Sequence, residues 1–195
     1  MYEVIGSRQS RAFRVLWMLE EMGEPYAHLP VPPRSDEVRA VNPSGKIPVL
    51  RVDGATLSDS VAIMTFLGDY HSALTFEAGS LERARQDALT QKINDEMDAI
   101  LWVAARHSFI LPKELRVPEV KKTLLWEYER HVGYIDRLIE GPFLMGETMT
   151  HADILLTHCL GWAKVAKFPD APQNLSNYFA RMRERPAYIR ASKLP

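Results

Sequence analysis

The chain has 195 residues, 46% of them hydrophobic and 25% charged, with a formal net charge of -1. That composition is ordinary for a folded soluble chain and gives no electrostatic footprint for nucleic acid or an anionic membrane. The one cysteine, Cys159, excludes an intrachain disulfide framework and fits a reducing compartment. No basic segment followed by an apolar run opens the chain, and the apolar stretches are too interrupted to span a bilayer. The expected location is the cytoplasm.

The chain opens on a short apolar strand, Tyr2 to Ile5, broken by Gly6. Ser7 and Ser10 follow in a turn. From Arg11 the apolar positions Ala12, Val15, Leu16, Leu19 and Met22 recur at helical spacing, and Ser10 stands just before them, where an N-cap belongs. A hydroxyl is thereby placed at the positive end of a helix, which favours anions. Taken alone, such a serine is an ordinary helix cap.

Gly23-Glu24-Pro25 ends the helix, and Tyr26 to Val31 predicts a second strand, cut short by Pro30, Pro32 and Pro33 and suited to a sheet edge. Ser35 to Val41 is a weak helix. Asn42-Pro43-Ser44-Gly45 is a turn, Ile47 to Val52 a third strand, and Asp53-Gly54 a hairpin signal leading to Ala55-Thr56-Leu57. Ser58-Asp59-Ser60 precedes an amphipathic run through Ile63, Phe66, Leu67 and Tyr70. The order is β-α-β-α-β-β-α.

Past a linker over 72–80 the strand signal vanishes. One long helix is predicted from Leu81 to Ala104, a second from Val120 to Ile139, a third, apolar nearly all round, from Ile154 to Ala166, and a last one through Leu175 and Met182 that stops before Pro186. Thr150-His151-Ala152-Asp153 has the form of a capping box, with Asp in place of the usual Glu or Gln. The fold class is thus α/β plus all-α: an α/β domain over 1–73 and a helical domain over 80–195. The chemistry is expected on the first, at its boundary with the second.

Four segments carry a family likeness. They are Gly6-Ser7-x-x-Ser10-Arg11 with the helix Arg14-Val-Leu-Trp-Met-Leu-Glu-Glu; Asn42-Pro-Ser-Gly-Lys-Ile-Pro-Val-Leu50; Leu57-Ser-Asp-Ser-Val-Ala-Ile63; and Thr150-His-Ala-Asp-Ile154. In this order and spacing the chain resembles the cytosolic glutathione transferases, of a serine-using, bacterial-like kind, over essentially its whole length. The resemblance implies a thioredoxin-like N-terminal domain that binds glutathione and a helical C-terminal domain that supplies most of the electrophile pocket. It also implies a homodimer and glutathione as co-substrate. No metal, nucleic acid or membrane is implied.

The resemblance further implies a cis Ile47-Pro48 bond, which exposes the Ile47 backbone N–H and C=O to glutathione's cysteine as an added strand would. Asp59 suits the α-ammonium of the glutamyl group; the Ser60 hydroxyl and its helix N-terminus suit the α-carboxylate. The family more often has Glu or Gln at the position of Asp59. Lys46 suits the glycyl carboxylate.

A thiol of pKa about 8.5 is only a few per cent ionised at neutral pH, and lowering that value by about two units takes about 2.7 kcal/mol of preference for the anion. One hydrogen bond to a charged group supplies about 1.5–3 kcal/mol, and a helix N-terminus about 0.3–1 kcal/mol. A serine hydroxyl at the first helix therefore suffices. Ser10 is preferred because it is nearer the helix start; Ser7 is the competitor. Tyr2 is a strand residue, too early in the chain to match the tyrosine-using classes of the resembled family. Neither position is cysteine, which argues against mixed-disulfide chemistry. Trp102 and Arg106, with His107 and Phe109, are candidates to line the electrophile pocket, against ordinary core packing and a solvated helix end.

The expected function is conjugation of glutathione's thiolate to a small, largely apolar electrophile, a detoxification chemistry. The alternatives are a non-catalytic binding or scaffold protein on the same fold and a glutathione-dependent isomerase.

Overall fold

The computed structural model describes residues 1–195 in two compact units, Met1–Ala78 together with Met182–Pro195, and Gly79–Arg181. The first unit is built on a four-stranded sheet in the order β2-β1-β3-β4, with β1 Tyr2–Ile5, β2 Tyr26–Leu29, β3 Val49–Val52 and β4 Ala55–Ser58. β2 runs parallel to β1, as a crossover helix requires, and occupies the edge that its flanking prolines favour. β3 is antiparallel to β1, and β4 returns antiparallel to β3 through Asp53-Gly54, both at positive φ (47° and 81°).

Helix α1 (Ala12–Met22) joins β1 to β2 and ends at Gly23, whose φ of 71° lets its N–H reach the Leu19 carbonyl. Every residue from Ala12 to Leu19 is buried. The apolar periodicity of the sequence predicts one covered face; the structure covers the others too. Helix α3 (Ser60–His71) packs on α1, and so does α9 (Pro186–Ser192). The sequence reading ends the last helix before Pro186. The structure instead starts a new helix there, with the proline in its first turn, where its missing N–H costs nothing. A short helix α2 (Asp36–Val41), capped by Ser35, lays Val38 against Ile5 and Val49.

The predicted third strand, Ile47 to Val52, is shorter in the structure. Ile47 and Pro48 form a bend joined by a cis bond, and pairing begins at Val49.

In the second unit the long helix predicted over 81–104 is interrupted by wide turns. α4 (Leu81–Ile93) passes into a π-helical turn over Asn94–Asp98, then α5 (Ala99–Ala105), then a second π-helical turn over Arg106–Ile110. α6 (Val120–Asp136) and α7 (His151–Val165) follow, then α8 (Gln173–Glu184), whose last turn belongs to the first unit. α7 is buried along most of its length, as its all-round apolar sequence predicts. Its capping residue Asp153 is buried and accepts hydrogen bonds from the Leu144 N–H (2.8 Å), the Thr150 N–H (2.8 Å), the Thr150 hydroxyl (3.3 Å) and the Tyr178 hydroxyl (2.8 Å). Burial pushes the Asp153 carboxyl up, and these donors offset only part of that. Cys159 is fully buried on the same helix, with Sγ 4.0 Å from Asp98 Oδ2. No helix is long and apolar enough to cross a membrane.

Candidate active site

Three chain segments leave the sheet at one end. The register pairs Ile5 with Val49 and Val49 with Ser58, so Gly6, Pro48 and Asp59 emerge side by side. This brings the Ser7–Ser10 turn, the Lys46-Ile47-Pro48 bend and the Asp59-Ser60 helix start together in the first unit.

Gly6 makes the close approach possible. Its φ is 139°, and a Cβ built there would stand 2.9 Å from Ile47 Cβ and 3.2 Å from Ala12 Cβ. Only glycine lets β1 pass so close to the bend that carries Ile47. The bend itself is fixed by Asn42. Its side-chain amide donates to the Lys46 carbonyl at 2.9 Å, and its Oδ1 accepts from the Ser44 N–H (3.2 Å) and hydroxyl (2.9 Å). Gly45, at φ 69°, lies against the Arg34 backbone. None of the chain's turn, cap or loop hydrogen bonds engages the Ile47 backbone N–H or C=O. The Lys46 side chain is exposed.

Ser10 is half-buried, and it is not the N-cap. The residues before α1 turn more tightly, with the Ser10 N–H bonded to the Ser7 carbonyl at 3.1 Å, and the capping position falls to Arg11. The hydroxyl nonetheless does a cap's work. Ser10 Oγ accepts the Ala12 N–H at 3.1 Å and donates its proton to the Ser7 carbonyl at 2.6 Å. That carbonyl holds two donors from one residue. The Ser7 side chain is half-buried on the same turn.

Asp59 caps α3. Its Oδ1 accepts from the Val61 N–H (2.8 Å) and the Ala62 N–H (3.2 Å), and its backbone takes φ 75°, unusual for a residue with a side chain. Ser60 is buried, and its Oγ accepts from Arg14 Nη1 at 3.1 Å. Arg14 itself is only 1% exposed. The sequence does not single it out as a site residue, because it sits inside an apolar helix. The available signal was a charge among the apolar residues Phe13 to Leu16, which burial tolerates only with a partner.

Tyr2 lies elsewhere, at the start of β1. Its hydroxyl bonds His71 Nε2 at 2.8 Å, while His71 Nδ1 stands 3.3 Å from Glu24. In the second unit, Trp102 is half-buried on α5 and Arg106 exposed at the head of the second π-helical turn, one helical turn apart. His107 is engaged there, its Nδ1 accepting the Val117 N–H at 3.1 Å.

A family model of the glutathione S-transferase N-terminal domain matches residues 10–69, and one of the C-terminal domain matches residues 112–189. The chain belongs to the glutathione S-transferase family. It is 27% identical over 158 residues to glutathione S-transferase GstA of Escherichia coli O157:H7, covering 77% of this chain and 74% of that one. It is 33% identical over 107 residues to the maleylacetoacetate isomerase of Rhizobium meliloti, about half of each chain (51% and 50%). Among solved structures, the beta class glutathione S-transferase of Sphingomonas chungbukensis superposes with a TM-score of 0.82 at 26% identity, over 98% of this chain and 97% of that one. The transferase fold, with glutathione as the ligand of its family, follows from these likenesses.

Proposed function

We propose that this family member binds glutathione at the sheet end described above and conjugates its thiolate to a small, largely apolar electrophile. Glutathione's cysteine pairs with the Ile47 backbone, its glutamyl group lies at Asp59 and Ser60, and its glycyl carboxylate at Lys46. Ser10 donates its hydroxyl proton to the sulfur. The thiol proton passes to solvent, the sulfur forms a bond to an electrophilic carbon, and the displaced electron pair goes to a leaving group or a conjugated acceptor.

The observation that carries this reading is the geometry of Ser10. Its Oγ already accepts a backbone N–H at 3.1 Å, which makes its proton a better donor. Turning that proton from the Ser7 carbonyl to a thiolate gives up a neutral hydrogen bond worth about 1 kcal/mol for one to an anion worth about 1.5–3 kcal/mol. The Ser7 carbonyl is not left bare, because the Ser10 N–H stays on it at 3.1 Å.

The test is an ultraviolet titration of protein-bound glutathione against pH, with Ser10→Ala and Ser7→Ala in parallel. Ionisation well below the free thiol value, lost in Ser10→Ala and kept in Ser7→Ala, is expected. Loss in Ser7→Ala alone moves the role to Ser7. Bound glutathione that ionises at its free value overturns the catalytic reading in favour of a binding or scaffold protein.

The likeness to a maleylacetoacetate isomerase supports a second reading, a glutathione-dependent isomerase using the same thiolate. Turnover of unsaturated dicarboxylates, with none of generic electrophiles, would select it. We further propose that the chain works as a homodimer in the cytoplasm, with Trp102 and Arg106 contacting the electrophile and the helical residues forming its domain; sedimentation as a monomer at micromolar concentration would overturn the dimer.

A further inference from the structure

The turn that carries Ser7 and Ser10 is fastened to the far end of the chain. Arg8, between the two serines, donates from Nε to the Leu194 carbonyl at 2.7 Å. Leu194 follows α9, and α9 is fixed to α1 through three of its side chains, counting Arg185 at its N-cap. Arg185 makes a two-pronged pair with Glu21 (2.6 and 2.8 Å), and Glu21 also accepts from Trp17 Nε1 at 2.8 Å. Tyr188 sets its ring edge-on against Phe13 and Trp17, with centroids 5.2 and 4.9 Å away. Arg190 donates to the Glu20 carboxylate at 2.6 Å and to the Glu20 carbonyl at 2.8 Å.

These contacts make α1 and residues 185–192 one body. The turn before α1 has few main-chain bonds of its own: the Ser10 N–H to Ser7, and those of Phe13 and Arg14 to Ser10 and Arg11. Arg8 adds a fixed point from outside the turn. We propose that residues 185–194 act as a strap on α1 and that Arg8 is a positioning residue, holding the Ser7–Ser10 turn in register through Leu194. Arg8 touches no reacting atom in this proposal. It acts by restricting where the Ser10 hydroxyl can point, so that thiol activation depends on the segment that follows α9. This rests on the reading of Ser10 given above.

Four variants of the full protein test it: Arg8→Met, Arg8→Lys, deletion of residues 193–195, and Arg8→Met combined with the deletion. Two readouts are taken, the pH profile of bound glutathione with kcat and KM, and hydrogen exchange of the Ser10 and Ala12 amides. Arg8→Met and the deletion are each expected to lower kcat about three- to tenfold at neutral pH, to move thiol ionisation toward its free value and to speed exchange by a similar factor. The KM for glutathione changes less. The combined variant is no worse than either alone, because both remove one bond, and Arg8→Lys, which keeps a donor, recovers most of the loss. Unchanged exchange and ionisation in Arg8→Met and the deletion overturn the strap, as do effects that multiply in the combined variant. If the unmodified protein does not shift the thiol, the reading of Ser10 fails while the exchange data still decide the strap.

Discussion

Arg14 on α1 donates from Nη1 to the Ser60 hydroxyl at the head of α3, 3.1 Å away, with both residues buried. The guanidinium takes a lone pair of Ser60 Oγ, so the hydroxyl keeps its proton to donate to another acceptor. A hydroxyl held by a cation is also a stronger donor. Replacing Arg14 by Met is expected to raise the KM for glutathione about tenfold, equivalent to about 1.4 kcal/mol. The same replacement in a Ser60→Ala background is expected to raise KM no further, which distinguishes loss of this bond from general damage to α1.

Gly6 is expected to resist even alanine. The added Cβ would meet Ile47 Cβ at 2.9 Å, and the φ of 139° is itself unfavourable to any residue with a side chain. Strain of this kind costs about 1–3 kcal/mol. Gly6→Ala should therefore lower the urea midpoint. Because Ile47 is the residue displaced, it should also weaken glutathione binding measured calorimetrically, and a variant that lost stability alone would separate the two effects.

Asp153→Ala leaves the Leu144 and Thr150 N–H groups and the Tyr178 hydroxyl without the acceptor they share. Stranding buried donors and losing a cap costs about 3 kcal/mol or more. Asn in its place keeps one acceptor oxygen but turns an amide toward the remaining donors, so most of the loss should persist. Chemical denaturation of both variants checks this.

The Glu20–Arg190 pair gives the strap an acid limb. Burial works against ionisation of Glu20, but hydrogen bonds from Arg190 and Tyr26 and the arginine charge outweigh it and hold the carboxyl below its ordinary value. A carboxyl lowered by folding contributes stability above its unfolded pKa and loses it as pH falls through the folded value. Arg190 is largely exposed, so the contribution is modest, about 0.5–1 kcal/mol. Glu20→Gln should be less stable than the unmodified protein near neutrality, and the two should converge as pH falls through the folded value, which lies below the ordinary glutamate value. Urea midpoints measured across that range decide it.

Much of the fold was legible because local signals agreed. β1 falls on Tyr2–Ile5 as its apolar run predicts, the prolines after β2 put it at an edge, and Asp53-Gly54 makes the hairpin it signals. What escaped was set by distant residues. Nothing in the sequence of α1 says that α9 will cover its second face, and Pro186, a stop signal for the preceding helix, is also the start of the next. The π-helical turns over 94–98 and 106–110 carry no Gly or Pro to announce them. At the candidate site the spacing of Ser7, Ser10, Ile47, Pro48 and Ser60 was readable, but the routing of the Ser10 proton and the arginine behind Ser60 were not, since both depend on side-chain directions.

Cys159 has full burial and no cysteine companion anywhere in the chain. A thiol sealed in the helical core reacts slowly with maleimides and iodoacetamides. A single cysteine introduced on the surface would thus take a fluorophore or spin label almost alone, without first removing the native one. Exposed positions outside the strap and the candidate site, such as Val165, become reporter positions for spectroscopy on an otherwise unaltered protein.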